Sequence, residues 1–305
     1  MPGISEALTF ARITVMVAMA AALSGCASLT ALYFHPQEVW IQTPDRFDID
    51  YEDVWLKADD GIELHAWLLK PDPVEKPAVE KDKVILFLHG NAENISTHTR
   101  SVFWLVDEGY TVLALDYRGF GASQGRAILP DILMDAKAAA EWLRANYPDQ
   151  ALVVIGQSMG AALAVNFVAD YGESYEVSQL VIEAPFAGFR SVAREMLQRS
   201  IVGTIVSPLV YLVPSEWDPI DRAPEISVPV MQLHSRMDDV VPISEGEALF
   251  QALPETQRCF VASQGPHIAS FRFNTFRQHV TDFLLSGDCP SERDTASDSH
   301  LKSNQ

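Results

Sequence analysis

Short apolar runs recur along most of the chain and alternate with longer segments of helical spacing. Uninterrupted apolar runs of this length are typical of strands buried on both faces of a parallel sheet. Their alternation with helical segments indicates βαβ units. The predicted strands are Val84–Leu88, Thr111–Leu115, Leu152–Ile155, Leu180–Ile182, Val230–Leu233 and Cys259–Val261, and the predicted helices are Val102–Glu108, Pro130–Asn146, Met159–Tyr171 and Phe271–Leu285.

Two segments depart from this alternation. Phe47–Leu56 and Ile62–Leu69, joined by a turn at Asp60-Gly61, predict an antiparallel hairpin at one edge of the sheet. Phe186–Pro224 is longer than an ordinary crossover and predicts either a small helical cap over the carboxyl edge or a longer packed helix. The fold class is therefore α/β, with one domain over 47–285 and a polar, disordered tail over 286–305.

Composition and charge narrow the function classes. The chain has 305 residues, of which 48% are hydrophobic, so it can bury a large core. Lys and Arg number 22 against 41 Asp and Glu, and the net charge of −19 argues against nucleic acid as a partner and against electrostatic docking on anionic lipid. Three cysteines exclude a disulfide-dense framework, and no Cys/His cluster has the spacing of a zinc finger, so no metal site is expected.

The N-terminus carries the pattern of a targeting segment. The apolar run Ile13–Leu23 is too short to span a ~30 Å hydrocarbon core but fits the apolar region of a signal peptide. The sequence Leu23-Ser24-Gly25-Cys26 resembles the lipobox of bacterial lipoproteins. That resemblance implies a signal peptide over residues 1–25, a lipid on Cys26, an anchor linker over 26–46 and a place at the membrane of the bacterial cell envelope. The alternative is an uncleaved helix from Ile13 to about Phe34.

The strongest catalytic signal follows the strand Leu152–Ile155. Gly156-Gln157-Ser158-Met159-Gly160 joins this strand to a helix through what we predict to be a tight, strained turn. Residues two before and two after the apex must be small in such a turn, and both are glycine. The Ser158 hydroxyl would then stand clear at the carboxyl edge of the sheet.

A serine needs a base, and the base needs an orienting acid. Asp238 follows the strand Val230–Leu233, and His267 follows Cys259–Val261, so both are predicted at the same edge as Ser158. Asp239 and Glu183 remain alternatives for the acid. Developing negative charge on the substrate would be held by the backbone N–H groups of Asn91 and Met159.

These motifs together resemble the α/β-hydrolase superfamily. The pieces His89-Gly90-Asn91-Ala92 and Asp116-Tyr117-Arg118-Gly119-Phe120-Gly121 are similar to its Bem46/ABHD13-like serine hydrolase branch. The resemblance implies the α/β-hydrolase fold and a Ser-His-Asp hydrolase that needs no cofactor. One departure is Ser235, where the family usually has glycine. For His89, Asp116 and Arg118 a structural role is expected.

The interpretation is a serine hydrolase that cleaves a small acyl substrate, preferably a carboxylic ester, with thioesters and amides less favoured. Two alternatives stay open, namely a non-catalytic envelope protein with this fold and an acyltransferase that uses the same triad. The sequence does not identify the acyl length or the oligomeric state.

The remaining cysteines also leave two interpretations. Cys259 begins the last predicted strand, and Cys289 follows a closing helix that should return the chain to the beginning of that strand. The pair can therefore form a disulfide opposite the active site, or remain as a buried thiol at 259 and an exposed one at 289.

Overall fold

A computed structural model describes residues 30–72, 82–198, 210–211 and 215–290. Eight strands of this part of the chain form one sheet in the order β1-β2-β4-β3-β5-β6-β7-β8. The antiparallel hairpin of β1 and β2 lies at one edge, and β3 to β8 run parallel to one another. The strands are β1 Asp50–Lys57, β2 Glu63–Lys70, β3 Lys83–Leu88, β4 Thr111–Asp116, β5 Ala151–Gln157, β6 Val177–Glu183, β7 Val230–Ser235 and β8 Arg258–Ser263.

Helices cover both faces of the sheet. Successive residues of a strand point to opposite faces, so the continuous apolar run of β3 serves two cores. The described α-helices are α1 Ile95–His98, α2 Phe103–Asp107, α3 Leu133–Asn146, α4 Met159–Tyr171, α5 Phe189–Gln198, α6 Pro219–Arg222, α7 Ile243–Ala252 and α8 Asn274–Ser286. Leu86 packs in one core with α3, α4 and α7, whereas Phe87 packs in the other with α2 and α8.

The predicted fold class is confirmed by this architecture. Each predicted strand overlaps an observed one, and α4 has the predicted bounds. The helix α7 was not predicted, because Glu245, Gly246 and Glu247 interrupt its apolar spacing. Gly246 is needed for packing, since a Cβ there would lie 2.1 Å from Nδ1 of His234.

The expected cap begins with α5, whose first residue, Phe189, is buried against Phe186 and Tyr33. Residues 199–209 and 212–214 of the expected cap lie outside the described residues. The same is true of the expected signal peptide, of Cys26 and of most of the expected tail. Within the described ranges, no helix is both long and apolar enough to cross a bilayer.

The stretch expected to be an anchor linker lies against the domain from residue 30 onward. Asn94 donates hydrogen bonds from Nδ2 to the carbonyls of Gln37 and Val39, each at 2.9 Å. Gln37 also donates to the carbonyl of Glu93 and accepts from the N–H of Gly121. This segment therefore forms part of the surface at the carboxyl ends of the strands.

The strand order determines where a ligand site can form. The chain leaves β3 toward β4 on one side and later places β5 on the other side. Such a switch point opens a crevice at the carboxyl ends of the two neighbouring strands. The loops after β3 and β5 carry the Asn91 and Ser158 motifs, and both lie at this crevice.

Cys259 and Cys289 are joined as a disulfide in the structure, with their Cα atoms 5.4 Å apart. Cys259 is near the start of β8, and Cys289 lies three residues after the end of α8. The bond therefore ties the end of the last helix to the strand whose far end leads to His267.

We expect Cys289→Ser to lower the free energy of unfolding by about 3–4 kcal/mol, because the bridge closes a loop with a sequence separation of 30. Urea unfolding of both proteins, with and without a reducing agent, measures this. The reducing agent should destabilise the native protein and leave the variant unchanged. Two free thiols in the denatured, non-reduced protein without its signal peptide would contradict the bridge.

Candidate active site

Ser158 lies at the apex of the turn between β5 and α4. Its φ of 54° and ψ of −116° are strained for a residue with a side chain. The Ser158 N–H donates to the carbonyl of Glu183 on the neighbouring strand β6 at 2.8 Å, which helps to hold this conformation. The turn has the geometry that the Gly-x-Ser-x-Gly pattern predicts.

The two flanking glycines are required by space. A Cβ on Gly156 would lie 2.5 Å from the carbonyl oxygen of Gly160. A Cβ on Gly160 would lie 2.1 Å from the carbonyl oxygen of Leu88, at the end of β3. No real Cβ packs so close to a backbone oxygen, so the turn brings the Ser158 loop directly against the loop after β3.

A continuous line of hydrogen bonds joins the three predicted catalytic side chains. Nε2 of His267 lies 2.8 Å from Oγ of Ser158, and Nδ1 of His267 lies 2.7 Å from Oδ2 of Asp238. The structure therefore brings together residues from the loops after β5, β7 and β8. A histidine with its Nδ1 side against a carboxylate presents Nε2 as a proton acceptor for the hydroxyl.

The Asp238 side chain is fully buried, and its second oxygen is also bound. Oδ1 accepts the backbone N–H groups of Val240 and Val241, each at 2.9 Å. Burial opposes ionisation, but the hydrogen bond to His267 and the two backbone donors outweigh it and hold the pKa of Asp238 below its usual value. The carboxylate is therefore charged at neutral pH and fixed in one orientation.

Ser235, the departure from the family pattern, connects two loops of the site. Its hydroxyl donates to the carbonyl of Gly265 and accepts the N–H of Met237 at 3.0 Å. Gly265 precedes His267 by two residues, and Met237 precedes Asp238 by one. The serine thus ties the acid loop to the histidine loop.

The two alternative acids lie elsewhere. Asp239 is exposed, and the carboxylate that bonds to His267 is that of Asp238. Glu183 is fully buried and accepts hydrogen bonds from Nε2 of Gln157 at 2.5 Å and from the N–H of Ser270 at 2.7 Å. Burial raises the pKa of Glu183, although these hydrogen bonds oppose the shift. Glu183 thereby supports the chain on both sides of the site.

The predicted oxyanion donors both line the cavity at Ser158. Met159 is the first residue of helix α4. Neither its N–H nor the N–H of Asn91 has a backbone acceptor among the described residues. The Asn91 side chain holds its loop, since Oδ1 accepts the N–H groups of His35 and Ala92 and Nδ2 donates to the carbonyl of Tyr33.

The three residues for which a structural role is expected, His89, Asp116 and Arg118, bind neighbouring parts of the chain. His89 is buried, with Nδ1 2.7 Å from the carbonyl oxygen of Gly90. Asp116 accepts the N–H of Ile95 at 2.8 Å. The Arg118 guanidinium bonds to Asp135 and Asp60, and it joins helix α3 to the β1–β2 turn.

A cavity of about 300 Å³ opens at Ser158 and His267. Most of the side chains that line it are apolar, and none of the described ones is acidic. Apolar walls of this kind accommodate a hydrocarbon portion of a ligand. They include Met159, Phe186, Phe189, Val192, Val240, Val241 and Ile268.

Sequence reasoning missed three residues of this cavity. Tyr33 and His35 line it from the N-terminal segment, and His98 lines it from α1. The His98 ring stacks on that of His89 with ring centroids 5.2 Å apart, and burial lowers the pKa of His98. The sequence offered no signal for them, because each belongs to a short segment without strong periodicity.

Comparison with known proteins supports the class that the fold and site define. Residues 79–215 match the model of the family described as serine aminopeptidase, S33. The uncharacterized protein YfhR of Escherichia coli K12 is 28% identical over 260 residues, which is 83% of this chain and 86% of YfhR. The α/β hydrolase domain-containing protein WAV2 of Arabidopsis thaliana is 34% identical over 209 residues, 66% of each chain.

Two further similarities concern proteins whose names state an activity. The lysophosphatidylserine lipase ABHD12 of Danio rerio is 27% identical over 67% of this chain and 59% of its own. The esterase Pf2001 of Pyrococcus furiosus is 25% identical and has a TM-score of 0.66, over 82% of this chain and 96% of that one. The fold is that of α/β hydrolases. The chain belongs to the α/β-hydrolase superfamily, as do its relatives and structural neighbours. Its general activity is therefore that of a hydrolase.

Proposed function

We propose that this protein is a serine esterase that cleaves carboxylic esters through an acyl-enzyme. The observation that carries the proposal is the line of hydrogen bonds from Ser158 through His267 to Asp238 at the mouth of an apolar cavity. The motifs similar to the Bem46/ABHD13-like branch support the same proposal.

The geometry fits two proton transfers by one histidine. Nε2 of His267 takes the proton of Ser158 as the hydroxyl attacks the carbonyl carbon, and it then gives that proton to the leaving oxygen. Asp238 holds the histidine in the required tautomer and stabilises its charged form. Water then attacks the acyl-enzyme by the same route and regenerates the Ser158 hydroxyl.

The negative charge that develops on the carbonyl oxygen needs donors that are already in place. The backbone N–H groups of Asn91 and Met159 have this role in our proposal. Removal of one such donor typically costs about 10²- to 10³-fold in rate. The Asn91 side chain would contribute indirectly, because its bonds to His35 and Tyr33 hold the loop that presents its N–H.

The lining of the cavity favours an ester over an aminopeptidase substrate. An aminopeptidase must recognise a free α-amino group, which is protonated at neutral pH. A carboxylate is the usual partner for such a cation, and none of the described residues that line the catalytic cavity is acidic. The names of the Pyrococcus esterase and the Danio lipase agree with ester cleavage.

A graded series of p-nitrophenyl esters, from acetate to palmitate, tests this proposal. We expect turnover of the esters, and labelling of Ser158 by a fluorophosphonate probe located by peptide mass. Turnover of alanine p-nitroanilide without turnover of any ester would overturn the ester assignment. Absence of both turnover and labelling would favour a non-catalytic protein, and acyl transfer to an added alcohol in place of water would favour an acyltransferase.

We also propose that the protein is a lipoprotein of the bacterial cell envelope, anchored through Cys26. The Leu-Ser-Gly-Cys sequence supports this. Tyr33, which lines the catalytic cavity, follows Cys26 by seven residues. An extended chain of that length reaches at most about 25 Å, so the anchor would hold the site close to the bilayer surface.

Cys26→Ser should move the protein from the membrane fraction to the soluble fraction, because stable anchoring requires more than one lipid chain and this residue would carry them. The intact mass of the native protein should show loss of residues 1–25 and a gain of lipid. Cys289→Ser serves as the control and should remain in the membrane fraction. A mass that retains residues 1–25 would contradict the anchor.

A further inference from the structure

A second cavity adjoins the catalytic one. It has a volume of about 570 Å³, and the two cavities share His98, His267 and Ile268. Its other walls come from the turn after α1, the end of β5 and the beginning of α8. A ligand whose reacting carbonyl lies at Ser158 can therefore extend past His267 into this second space.

Three arginines, Arg100, Arg272 and Arg277, line this second cavity, which we term the arginine cavity. None of its described lining residues is acidic. Among the described residues, no carboxylate forms an ion pair with any of the three, whereas four other arginines have such partners (Arg118, Arg144, Arg222 and Arg258). In a chain with 41 acidic and 22 basic residues, a cavity lined by three arginines and by no described acidic residue is an unusual concentration of positive charge.

Two of these arginines are held by aromatic rings. The Arg277 guanidinium lies 5.9 Å from the ring centroid of Trp104, and its Nε donates to the carbonyl of Phe271. The Arg100 guanidinium lies 5.1 Å from the ring centroid of Phe47. These contacts leave most of the guanidinium N–H groups available. Donors that are already positioned lose less conformational entropy when a ligand binds.

The shared histidine relates the arginine cavity to the chemistry. In the proposed mechanism His267 gives its proton to the leaving oxygen, so the alcohol portion of the ester lies on the His267 side. The apolar catalytic cavity suits the acyl chain, and the polar cavity on the other side of the shared wall suits the alcohol. A phosphate presents three strong acceptor oxygens, which matches three arginines better than the two oxygens of a carboxylate.

We propose that the arginine cavity binds a phosphate group on the alcohol portion of the ester, so that the substrates are acyl esters of phosphorylated alcohols. The expected cleavage of these substrates rests on the proposed esterase function. The expected binding of the phosphate group rests on the arginine cavity alone. His98 and Ile268 would separate the acyl portion from the phosphate portion, since both residues border each cavity.

A matched pair of substrates tests the inference, namely the octanoyl esters of glycerol 3-phosphate and of glycerol. We expect kcat/KM to be at least about 10-fold higher for the phosphorylated ester, since hydrogen bonds to charged groups contribute about 1.5–3 kcal/mol. Arg100→Gln and Arg272→Gln should each remove most of this preference, through KM, and should change kcat/KM for the neutral ester less than about 2-fold.

Arg126→Gln is the matched control, because Arg126 is exposed and lies outside both cavities. It should retain the full preference for the phosphorylated ester. Arg277→Gln is a poor test, since Arg277 also bonds to the loop that precedes α8. Equal kcat/KM for the two esters, with no effect of Arg100→Gln or Arg272→Gln, would overturn the inference while leaving the esterase function intact.

Calorimetric titration with glycerol 3-phosphate distinguishes failure of the phosphate site from failure of the esterase function. The ligand should bind the Ser158→Ala protein. A triple variant that also carries Arg100→Gln and Arg272→Gln should bind it about 10-fold more weakly or worse. Binding that depends on the arginines, without turnover of either ester, would refute the esterase and support the phosphate site. Absence of binding, together with turnover of the neutral ester, would refute the site alone.

Discussion

Ser158→Ala and His267→Ala should each reduce kcat for the best p-nitrophenyl ester by at least about 10⁴-fold. Their side chains lie 2.8 Å apart, and neither can act without the other. The double variant should therefore be no slower than either single variant, because the nucleophile and base act as one unit. Steady-state and single-turnover rates of the three variants measure this.

The control is Ser174→Ala, which removes the hydroxyl of an exposed serine in the connection after the end of helix α4. It should keep the native rate. Near-native circular dichroism and melting temperature of Ser158→Ala would show that the fold is intact. Full activity of Ser158→Ala would refute the mechanism. Additive losses in the double variant would mean that Ser158 and His267 act in separate steps.

Much of the fold could be predicted from the sequence because a parallel sheet buried on both faces requires continuous apolar strands. Val84–Leu88 and Leu152–Ile155 are such runs, and every residue of both is buried in the structure. The beginning of the closing helix differs from the prediction: the helix starts at Asn274 and not at Phe271, because a single 3₁₀ turn at Ser270–Arg272 precedes it. Helix α7 was missed because its central glycine serves tertiary packing against His234, which no local pattern records.

The same physical reasoning explains which residues of the site could be predicted from the sequence. The positions of Ser158, Asp238 and His267 were predictable because each lies in the loop that follows a strand, and parallel strands present their carboxyl ends at one edge. The arginine cavity was not predictable, since Arg100, Arg272 and Arg277 belong to a turn after α1 and to the region where α8 begins. Only tertiary packing brings those two regions together. The contribution of Tyr33 to the catalytic cavity has the same origin.

The acid should be identified by a comparison of neighbouring carboxylates. Asp238→Asn should reduce kcat about 10³- to 10⁴-fold, less than loss of Ser158 or His267, because the nucleophile and base remain. The amide fits the space of the carboxylate, but it must still accept the N–H groups of Val240 and Val241 through its oxygen. Its NH₂ group then faces Nδ1 of His267, and that donor forces the histidine into the tautomer whose Nε2 carries the proton.

Asp239→Asn makes the same chemical change one residue later and is the matched control. Asp239 is exposed, and the hydrogen bond to His267 belongs to Asp238, so we expect its kcat within about 2-fold of the native value. Glu183→Gln should be milder than Asp238→Asn, because the Glu183 carboxylate bonds to Gln157 and Ser270. Ester turnover by the three variants, compared at one pH, decides among the three carboxylates. A large loss in Asp239→Asn with a mild loss in Asp238→Asn would show that the acid is Asp239. A larger loss in Glu183→Gln than in Asp238→Asn would show that it is Glu183, at the end of β6.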